Sequence, residues 1–356
     1  MFKPGGVWCD ADGRAIQAHG GGVLYDRGTY YWFGENKEGQ TILDRDAELH
    51  RVDVVGVSCY SSTNLYHWTN RGVVLPAVDN DPTHDLHVSK VVERPKVLYN
   101  DATRQYVMWM HIDRPDYAYA RAGVAVGEAP TGPYRYLGSV RPCDADSRDL
   151  TLFKDDDGTA YLVFSSEWNR NITIALLSDD YTRVADTFIK TLIHPRRHEG
   201  REAPAVFTHD GLYYMITSGC TGWASNPAEY AVAPSMLGLW EARGNPCTGR
   251  DADTTFGAQS TFVLPVAGRP GTYIFMADRW DPMNLGDSRY VWLPLSVRDD
   301  AVSIIWMDQW NLPFFSDAAS QAVPDGNRAV RGGRDTAAAA QPCSRAVSPP
   351  AARTLS

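Results

Sequence analysis

Five polar residues share the same local context in this sequence, and three of them are carboxylic acids. His19, Glu93, Asp149, Glu202 and Gln259 each stand shortly before an apolar run, which a short turn joins to a second apolar run that begins with Tyr. The distance from each polar residue to that Tyr is 11, 13, 12, 11 and 14 residues, respectively. If such carboxyl groups lie close together, their like charges raise the pKa of at least one of them, which keeps that acid protonated near neutral pH.

Cleavage of a glycosidic bond needs this combination of groups. One protonated carboxylic acid donates its proton to the leaving oxygen, and a second group activates water or attacks the anomeric carbon. The 11 Trp and 18 Tyr residues fit a sugar ligand, because flat apolar faces with polar tips suit sugar rings, although both residue types also fill β cores. From these residues alone, a sugar-cleaving enzyme and a binding module with merely hydrated polar groups both remain open.

The elements that must position these residues are short strands. Each of the five residues precedes a strand–turn–strand pattern, and helical periodicity is almost absent from the chain. Two more strand-like segments follow each pair: the predicted third strands are residues 55–60, 122–126, 172–175, 230–233 and 290–293, and the predicted outer edges are residues 66–68, 132–134, 181–188, 239–240 and 304–306. Repeats of about 40–60 residues with four short strands are typical of propeller blades. We therefore predict an all-β fold, a five-bladed β-propeller whose five leading residues converge at one end of a central channel.

The composition predicts where the propeller ends. Residues 1–315 carry the repeats and are expected to form the catalytic domain. Residues 316–356 are rich in Ala, Arg, Pro and Gly and contain hardly any bulky apolar side chain. Such a segment cannot bury enough surface to order itself, so a disordered low-complexity tail is expected there.

Charge and cysteine content exclude several classes of partner. The chain is 44% hydrophobic with a net charge of −9 and no Lys/Arg cluster, which argues against nucleic acids and membranes. Its apolar runs are far shorter than the ~18 residues that span a bilayer.

The six cysteines contain no C-x-x-C pair and predict neither a zinc site nor a disulfide framework. No secretory signal follows Met1, so we expect a cytoplasmic protein, or a secreted or periplasmic one if a leader has been removed. A monomer is expected.

Several motifs resemble those of glycoside hydrolase family 43. The motifs are Glu93-Arg94-Pro95-Lys96-Val97, Ser147-Arg148-Asp149-Leu150, Arg201-Glu202-Ala203-Pro204-Ala205 and Ala258-Gln259-Ser260-Thr261. Residues 18–22 (AHGGG) and 218–223 (SGCTGW) resemble the exo-β-1,3-galactanase branch of that family. The resemblance covers about residues 5–315, with the motifs in the family's order. It implies an inverting exo-glycosidase that releases galactose from the β-1,3-galactan of arabinogalactan.

The resemblance also implies roles for the leading residues. Glu202 matches the general acid, and Asp149 matches the carboxylate that tunes and orients that acid. The family generally has an Asp base in blade one, where this sequence has His19 instead, as does the galactanase-like branch. Glu93 is therefore assigned as base or substrate clamp, and Gln259 as a water-positioning or sugar-binding group. Inversion implies that the Glu202 and Glu93 carboxyl groups are separated by about 6.5–9.5 Å.

Further candidates for substrate binding lie at hairpin ends or in loops. They are His19, Glu35, Tyr117, Tyr119, Glu167, Trp223 and Arg148. Arg148 and Arg201 flank the carboxylates and are expected to hold them by bidentate pairing. No cofactor and no essential metal are predicted; a structural calcium ion in the channel, with His19 as a ligand, is conceivable but not predicted.

Three alternatives to a galactanase remain. The same site could serve an α-L-arabinofuranosidase or a β-xylosidase, as in other branches of the family. A non-catalytic sugar-binding propeller would keep Trp223 as a platform without needing Glu202. A fructan-cleaving propeller is suggested by Ser147-Arg148-Asp149, but no Pro follows Asp149 and blade one has His19.

Overall fold

The five predicted repeats form five β-sheets that surround a common axis. The computed structural model describes residues 1–43 and 50–315. Within these residues four sheets have four strands and one sheet has five, and a separate two-stranded hairpin lies in a loop. The fold is the predicted five-bladed β-propeller, and the predicted tail, residues 316–356, lies outside the described residues.

The first two blades follow the predicted strand order. Blade 1 begins with β1 (His19–Asp26) and β2 (Thr29–Glu35), continues through the small hairpin of β3 (Thr41–Ile42) and β4 (Arg51–Val52), and ends with β5 (Gly56–Ser62) and β6 (Thr69–Pro76). Blade 2 contains β7 (Val91–Asn100), β8 (Gln105–Asp113), β9 (Arg121–Gly127) and β10 (Arg135–Val140). Neighbouring strands of each blade pair antiparallel.

The remaining blades repeat the same arrangement with one addition. Blade 3 contains β11 (Leu150–Lys154), β12 (Ala160–Ser166), β13 (Asn171–Leu177) and β14 (Val184–Thr191), and blade 4 contains β15 (Glu202–His209), β16 (Leu212–Ser218), β17 (Glu229–Ala233) and β18 (Glu241–Gly244). Blade 5 is formed by β19 (Cys247–Thr248), β20 (Gln259–Pro265), β21 (Tyr273–Arg279), β22 (Arg289–Arg298) and β23 (Ala301–Ile305). The short β19 pairs parallel to β23 at the outer edge of this blade. Short 3₁₀ turns occur at Pro142–Asp144, Ala252–Gly257 and Leu285–Asp287.

Buried apolar clusters lie between neighbouring blades. Five such clusters are found in the described part of the chain, and the one between blades 5 and 1 joins Trp292 to Trp32 and so closes the ring. The same cluster contains Phe2 and Trp310, whose backbones form a bridge. The Phe2 amide donates to the Trp310 carbonyl at 2.8 Å. Much of the aromatic content that suggested sugar binding therefore packs between blades.

Backbone bulges aim the leading side chains. The register of the innermost strand shifts directly after His19, Glu93 and Glu202. The next residues, Gly20, Arg94 and Ala203, have φ values of +58°, +56° and +52°. A bulge with one left-handed residue bends the strand and redirects the side chain beside it. Blade 5 also has a register shift after Ser260, whereas the paired residues of β11 and β12 in blade 3 show none.

Two smaller observations bear on the sequence predictions. Cys59, Cys143, Cys220 and Cys247 are free thiols, and Cys9 is disulfide-bonded. In the described ranges, no helix has both the length and the apolar character needed to cross a membrane.

Candidate active site

Four of the five leading residues line one cavity at the end of the channel. The cavity has a volume of about 1,000 Å³, and its walls include Glu93, Asp149, Glu202 and Gln259. This is at the upper end of the range for small-molecule sites. The convergence that the repeats predicted is therefore confirmed for these four residues.

Glu202 lies at the start of β15 and is held by two amide groups. Asn169 Nδ2 donates to its Oε2 at 2.8 Å, and Gln259 Nε2 donates to its Oε1 at 2.9 Å. Burial, together with the negative charge of Asp149, raises the pKa of Glu202 to about 8. The nearby guanidinium groups of Arg94 and Arg201 only partly offset this effect. Glu202 is therefore mostly protonated at neutral pH and can donate a proton.

Arg94, on the innermost strand of blade 2, contacts residues of blades 1, 3 and 5. Its Nε and one terminal nitrogen contact both oxygens of Asp149 at 3.0 and 2.9 Å. Its other contacts are to Gln259 Oε1 at 2.5 Å and to the Ser260 carbonyl at 3.0 Å. The Arg94 amide donates to Glu35 Oε1 at 2.9 Å. The two contacts between Arg94 and Asp149 form a bidentate pair that holds the Asp149 carboxylate beside Glu202.

Glu93, on β7, is surrounded by donors. Tyr117 donates its hydroxyl to Glu93 Oε1 at 2.8 Å, Lys37 Nζ lies 3.8 Å from the same oxygen, and His111 Nδ1 lies 3.4 Å from Oε2. Burial alone would raise the pKa of Glu93, but these groups outweigh it and lower the pKa to about 2. Burial is likewise outweighed at His111, where contacts with Asp113 and Glu93 raise the pKa to about 9. At neutral pH, Glu93 is ionised and His111 is protonated.

Glu35 reaches the cavity from the end of β2. Its Oε2 lies 2.7 Å from Lys37 Nζ, and only 3% of the residue is exposed. Burial raises the pKa of Glu35 in spite of the Lys37 charge. The approach is possible only because Gly20 has no side chain: a Cβ there would lie 2.1 Å from Glu35 Oε1. The glycine run after His19 thus makes room for side chains from neighbouring strands.

His19 does not line the cavity. Its ring is fully buried, with Nδ1 3.1 Å from Asp278 Oδ1, and it stacks on Tyr290 with the ring centroids 4.8 Å apart. The expectation that His19 binds substrate is therefore not supported, because the imidazole is enclosed by protein. Its position is structural, below the floor of the site.

The other loop candidates divide into two groups. Tyr117 and Trp223 line the cavity, and the Trp223 indole lies edge-on to Trp280 with centroids 5.2 Å apart. Tyr119 and Glu167 are not among the lining residues. The Tyr119 hydroxyl donates to Asp85 at 3.0 Å, and Glu167 pairs with Lys190 at 2.5 Å. Both lie outside the cavity because their loops turn them to other partners.

The expected pairing of Arg148 and Arg201 with the catalytic carboxylates is wrong. Arg148 lines the cavity, but it pairs with Asp146 and lies over the Trp168 ring, 4.1 Å from its centroid. Arg201 donates to the Thr217 side chain at 3.0 Å. Arg94 takes the bidentate role that was assigned to them.

Sequence reasoning missed several functional groups although signals were present. Arg94 lies in the same motif as Glu93, and Asn169 follows the candidate Glu167 by two residues. His111 pairs with Glu93 in the β7–β8 register, so hairpin pairing could have found it. Lys37 and Trp280 follow the ends of β2 and β21 and had no comparable signal, because their loop positions depend on the folded chain.

One group of side chains has the donor set of a metal site. Glu93, His111 and Asp149 place ligand atoms within 4.8 Å of one another. However, Arg94 already chelates Asp149, and the Lys37 ammonium and a protonated His111 lie beside Glu93. These cations of the chain would repel a divalent ion, so the residues do not fit a metal. That no essential metal is needed remains a prediction.

Comparison with known families identifies relatives of this chain. A profile of glycosyl hydrolases family 43 matches residues 19–275. No curated protein sequence matches significantly.

Solved structures give more extensive matches. A family 43 β-1,3-galactosidase is 39% identical over 89% of this chain, with a TM-score of 0.81, and this chain spans 65% of that longer protein. A second family 43 β-1,3-galactosidase, solved with galactodeoxynojirimycin, is 40% identical, with a TM-score of 0.80, and the match covers 87% of this chain and 100% of that one. An exo-β-1,3-galactanase from Phanerochaete chrysosporium, solved with galactose, is 37% identical, with a TM-score of 0.77, over 87% of this chain and 68% of that one.

Proposed function

The chain belongs to glycosyl hydrolase family 43, and from that membership we propose that it is an inverting exo-β-1,3-galactanase. It would release galactose from the non-reducing ends of β-1,3-galactan chains such as those of arabinogalactan. Relatives that are 36–40% identical and carry β-1,3-galactosidase or exo-β-1,3-galactanase activity in their names support this substrate.

The observation that carries the proposal is a protonated carboxylic acid on the wall of the cavity. With a pKa of about 8, Glu202 is about nine-tenths protonated at pH 7. Its proton passes to the glycosidic oxygen while the bond from that oxygen to the anomeric carbon breaks. Water adds to that carbon from the opposite face and releases its own proton to the solvent in the open cavity. Asp149 keeps the proton on Glu202 until that moment, because its negative charge opposes ionisation of the neighbouring acid.

Glu93 serves as a substrate clamp rather than as the base. A carboxylate with a pKa of about 2 is a weak proton acceptor at neutral pH, whereas an efficient general base has a pKa near the working pH. An ionised carboxylate is, however, a strong acceptor of hydrogen bonds from sugar hydroxyls. Of the two roles left open for Glu93, its surroundings favour the clamp.

We infer exo action from the relatives named as exo-acting enzymes and from the burial of several lining residues. Glu35, Glu93 and Gln259 are 3%, 8% and 8% exposed, whereas Trp168, which also lines the cavity, is half-buried. An enclosed end accepts the terminal sugar of a chain, and the rest of the chain extends toward solvent.

The test is product analysis on β-1,3-galactobiose with the wild type, Glu202→Gln and Glu93→Gln. We expect the wild type to release galactose, with proton NMR showing the α-anomer first. Loss of acid catalysis should lower kcat of Glu202→Gln by about 10²–10⁴-fold. Glu93→Gln should lose galactose binding, measured by calorimetry, whereas Glu202→Gln should keep it.

Three results would contradict the proposal. Initial release of the β-anomer would exclude inversion. Turnover of 4-nitrophenyl arabinofuranoside or xyloside without turnover of galactobiose would replace the substrate with that of an arabinofuranosidase or xylosidase. Binding of galactose without any turnover by the wild type would indicate a sugar-binding propeller.

A further inference from the structure

The turn between β12 and β13 has an unusual backbone. Glu167, Trp168 and Asn169 have φ values of +54°, +58° and +54°, so three consecutive non-glycine residues lie in the left-handed region. L-residues normally visit this region singly, because it strains the backbone. Such a conformation persists only if its surroundings impose it. Contacts with the rest of the protein must therefore stabilise the conformation of the 167–169 turn.

Asp146 holds this turn from one side. Its carboxylate accepts hydrogen bonds from the amides of Glu167 and Trp168, both at 2.8 Å, and it pairs with Arg148. The charged acceptor satisfies two backbone donors that the left-handed turn leaves without strand partners. Asp146 had no role in the mechanism described above.

The segment that leads into Glu202 holds the turn from the other side. The His198 amide donates to the Trp168 carbonyl at 2.8 Å, and the Gly200 amide donates to the Asn169 carbonyl at 3.1 Å. A Cβ at position 200 would lie 2.3 Å from that carbonyl, so only glycine allows the approach. The turn and the strand that carries the acid are thus joined through the backbone as well as through the Asn169–Glu202 hydrogen bond.

Two adjacent side chains of the turn face the cavity. Asn169 Nδ2 contacts Glu202, while Asn169 Oδ1 is buried and has no hydrogen-bond partner in the described chain. Trp168 lines the cavity and is half-buried, and the Arg148 guanidinium covers one face of its ring, 4.1 Å from the centroid. The His198 ring lies tilted beside it, with the ring centroids 5.4 Å apart. The part of the indole that lines the cavity can contact a ligand, and aromatic rings are suited to sugar rings.

We propose that the 167–169 turn, locked by Asp146, couples binding of the departing sugar to alignment of the acid. This inference rests on the proposed function, which places the terminal galactose at the enclosed end of the cavity. The next sugar then lies toward Trp168 and packs on the part of the indole that lines the cavity. Because Asn169 is the adjacent residue of the same rigid turn, seating that sugar fixes the amide that orients Glu202. Asp146 is accordingly a positioning residue, and Trp168 a specificity-determining one.

The experiment compares Trp168→Ala, Trp168→Phe and Asp146→Asn with the wild type, using Glu167→Gln as the control within the same turn. Glu167 is outside the cavity and contributes only its backbone amide to Asp146. For each variant, kcat and KM are measured on β-1,3-galactobiose and galactotriose, and galactose binding is measured by calorimetry. Galactose alone fills the terminal position and so does not report on the departing sugar.

We expect Trp168→Ala to lose roughly 10-fold in kcat/KM on both oligosaccharides, with galactose binding unchanged and partial recovery in Trp168→Phe. Asp146→Asn should lose on the order of 10–100-fold in kcat, again with galactose binding unchanged, because a small displacement of the acid is costly. In a double variant that combines Trp168→Ala with Asp146→Asn, the two losses should not add, since both substitutions act through one turn. Glu167→Gln should behave as the wild type.

The coupling would be overturned if Trp168→Ala had the same kcat/KM as the wild type. It would also be overturned if a variant lost galactose binding and turnover to the same extent. Additive losses in the double variant would show that Trp168 and Asp146 act separately and would also overturn it. If Asp146→Asn does not fold, Trp168→Ala and Trp168→Phe still decide the question, because Trp168 is partly exposed. A wild type that does not cleave galactobiose would instead refute the proposed function before any variant is compared.

Discussion

Removal of the charge on Asp149 should move the pH range in which the enzyme is active. The carboxylate of Asp149 raises the pKa of Glu202, so Asp149→Asn should lower it. The substitution also frees Arg94 from its bidentate partner, and an unpaired guanidinium near Glu202 acts in the same direction. Burial, the largest cause of the shift, remains, so the pKa of Glu202 should stay above its ordinary value of 4.5.

The size of the effect depends on the pH of the assay. A neighbouring charge typically shifts a pKa by about 1–3 units. A fall of about one unit from about 8 lowers the protonated fraction of Glu202 about twofold at pH 7 and about eightfold at pH 8.5. Since the acid must carry its proton, activity is present below the pKa and is lost as the pH rises through it.

The assay is the pH dependence of kcat/KM on β-1,3-galactobiose between about pH 5 and pH 9.5. The alkaline limb should lie near pH 8 in the wild type and lower in Asp149→Asn. Asp156→Asn is the matched control, because it removes the same charge from an exposed turn of the same blade. The reasoning is refuted if the alkaline limb of Asp149→Asn coincides with that of the wild type, or if Asp156→Asn moves the limb as far as Asp149→Asn does.

Other expectations follow from the same contacts. Glu202→Gln should raise the melting temperature at pH 8 but not at pH 4. The pKa of Glu202 is higher in the folded than in the unfolded protein, so the wild type loses stability as the pH rises from about 4.5 to about 8. Equal shifts of the melting temperature at both pH values would contradict this. Arg94→Met should lower the free energy of unfolding, measured by urea denaturation, by about 3–5 kcal/mol, because it leaves the Asp149 carboxylate without its buried partner; a loss below about 1 kcal/mol would argue against the pairing. Treatment with EDTA should leave kcat unchanged, since cations of the chain surround Glu93 and His111, and recovery of lost activity by calcium would reverse that prediction.

The inner three strands of each blade could be predicted because their apolar pattern is strong. The outer strands could not be placed as well: β6 begins at Thr69, directly after the predicted edge at residues 66–68, and β18 begins at Glu241, after the predicted 239–240. All four residues of β18 are exposed, so no alternation of apolar and polar residues marks it. The parallel strand β19 has only two residues, which are too few to form a pattern.

The site was predictable where a repeat positions the residue and not where a loop does. Glu93, Asp149, Glu202 and Gln259 occupy equivalent places in four blades, so the fold brings them together once it is recognised. Glu167 was a candidate because it occupies the hairpin end in blade 3 that corresponds to Glu35 in blade 1. The left-handed turn that directs Glu167 outward and Asn169 inward depends on Asp146, which is 21 residues away from Glu167.

The bulges at the start of the inner strands have a consequence for how such sites diversify. In three blades the left-handed residue comes directly after the leading one, and the leading side chains are an imidazole in blade 1 and carboxylates in blades 2 and 4. Because the backbone sets the direction, the type of side chain is not constrained by the ladder beneath it. Replacement of a single residue at one of these leading positions can therefore introduce a different functional group without a change of fold. The sugar that is recognised can thus change in evolution while the propeller stays the same.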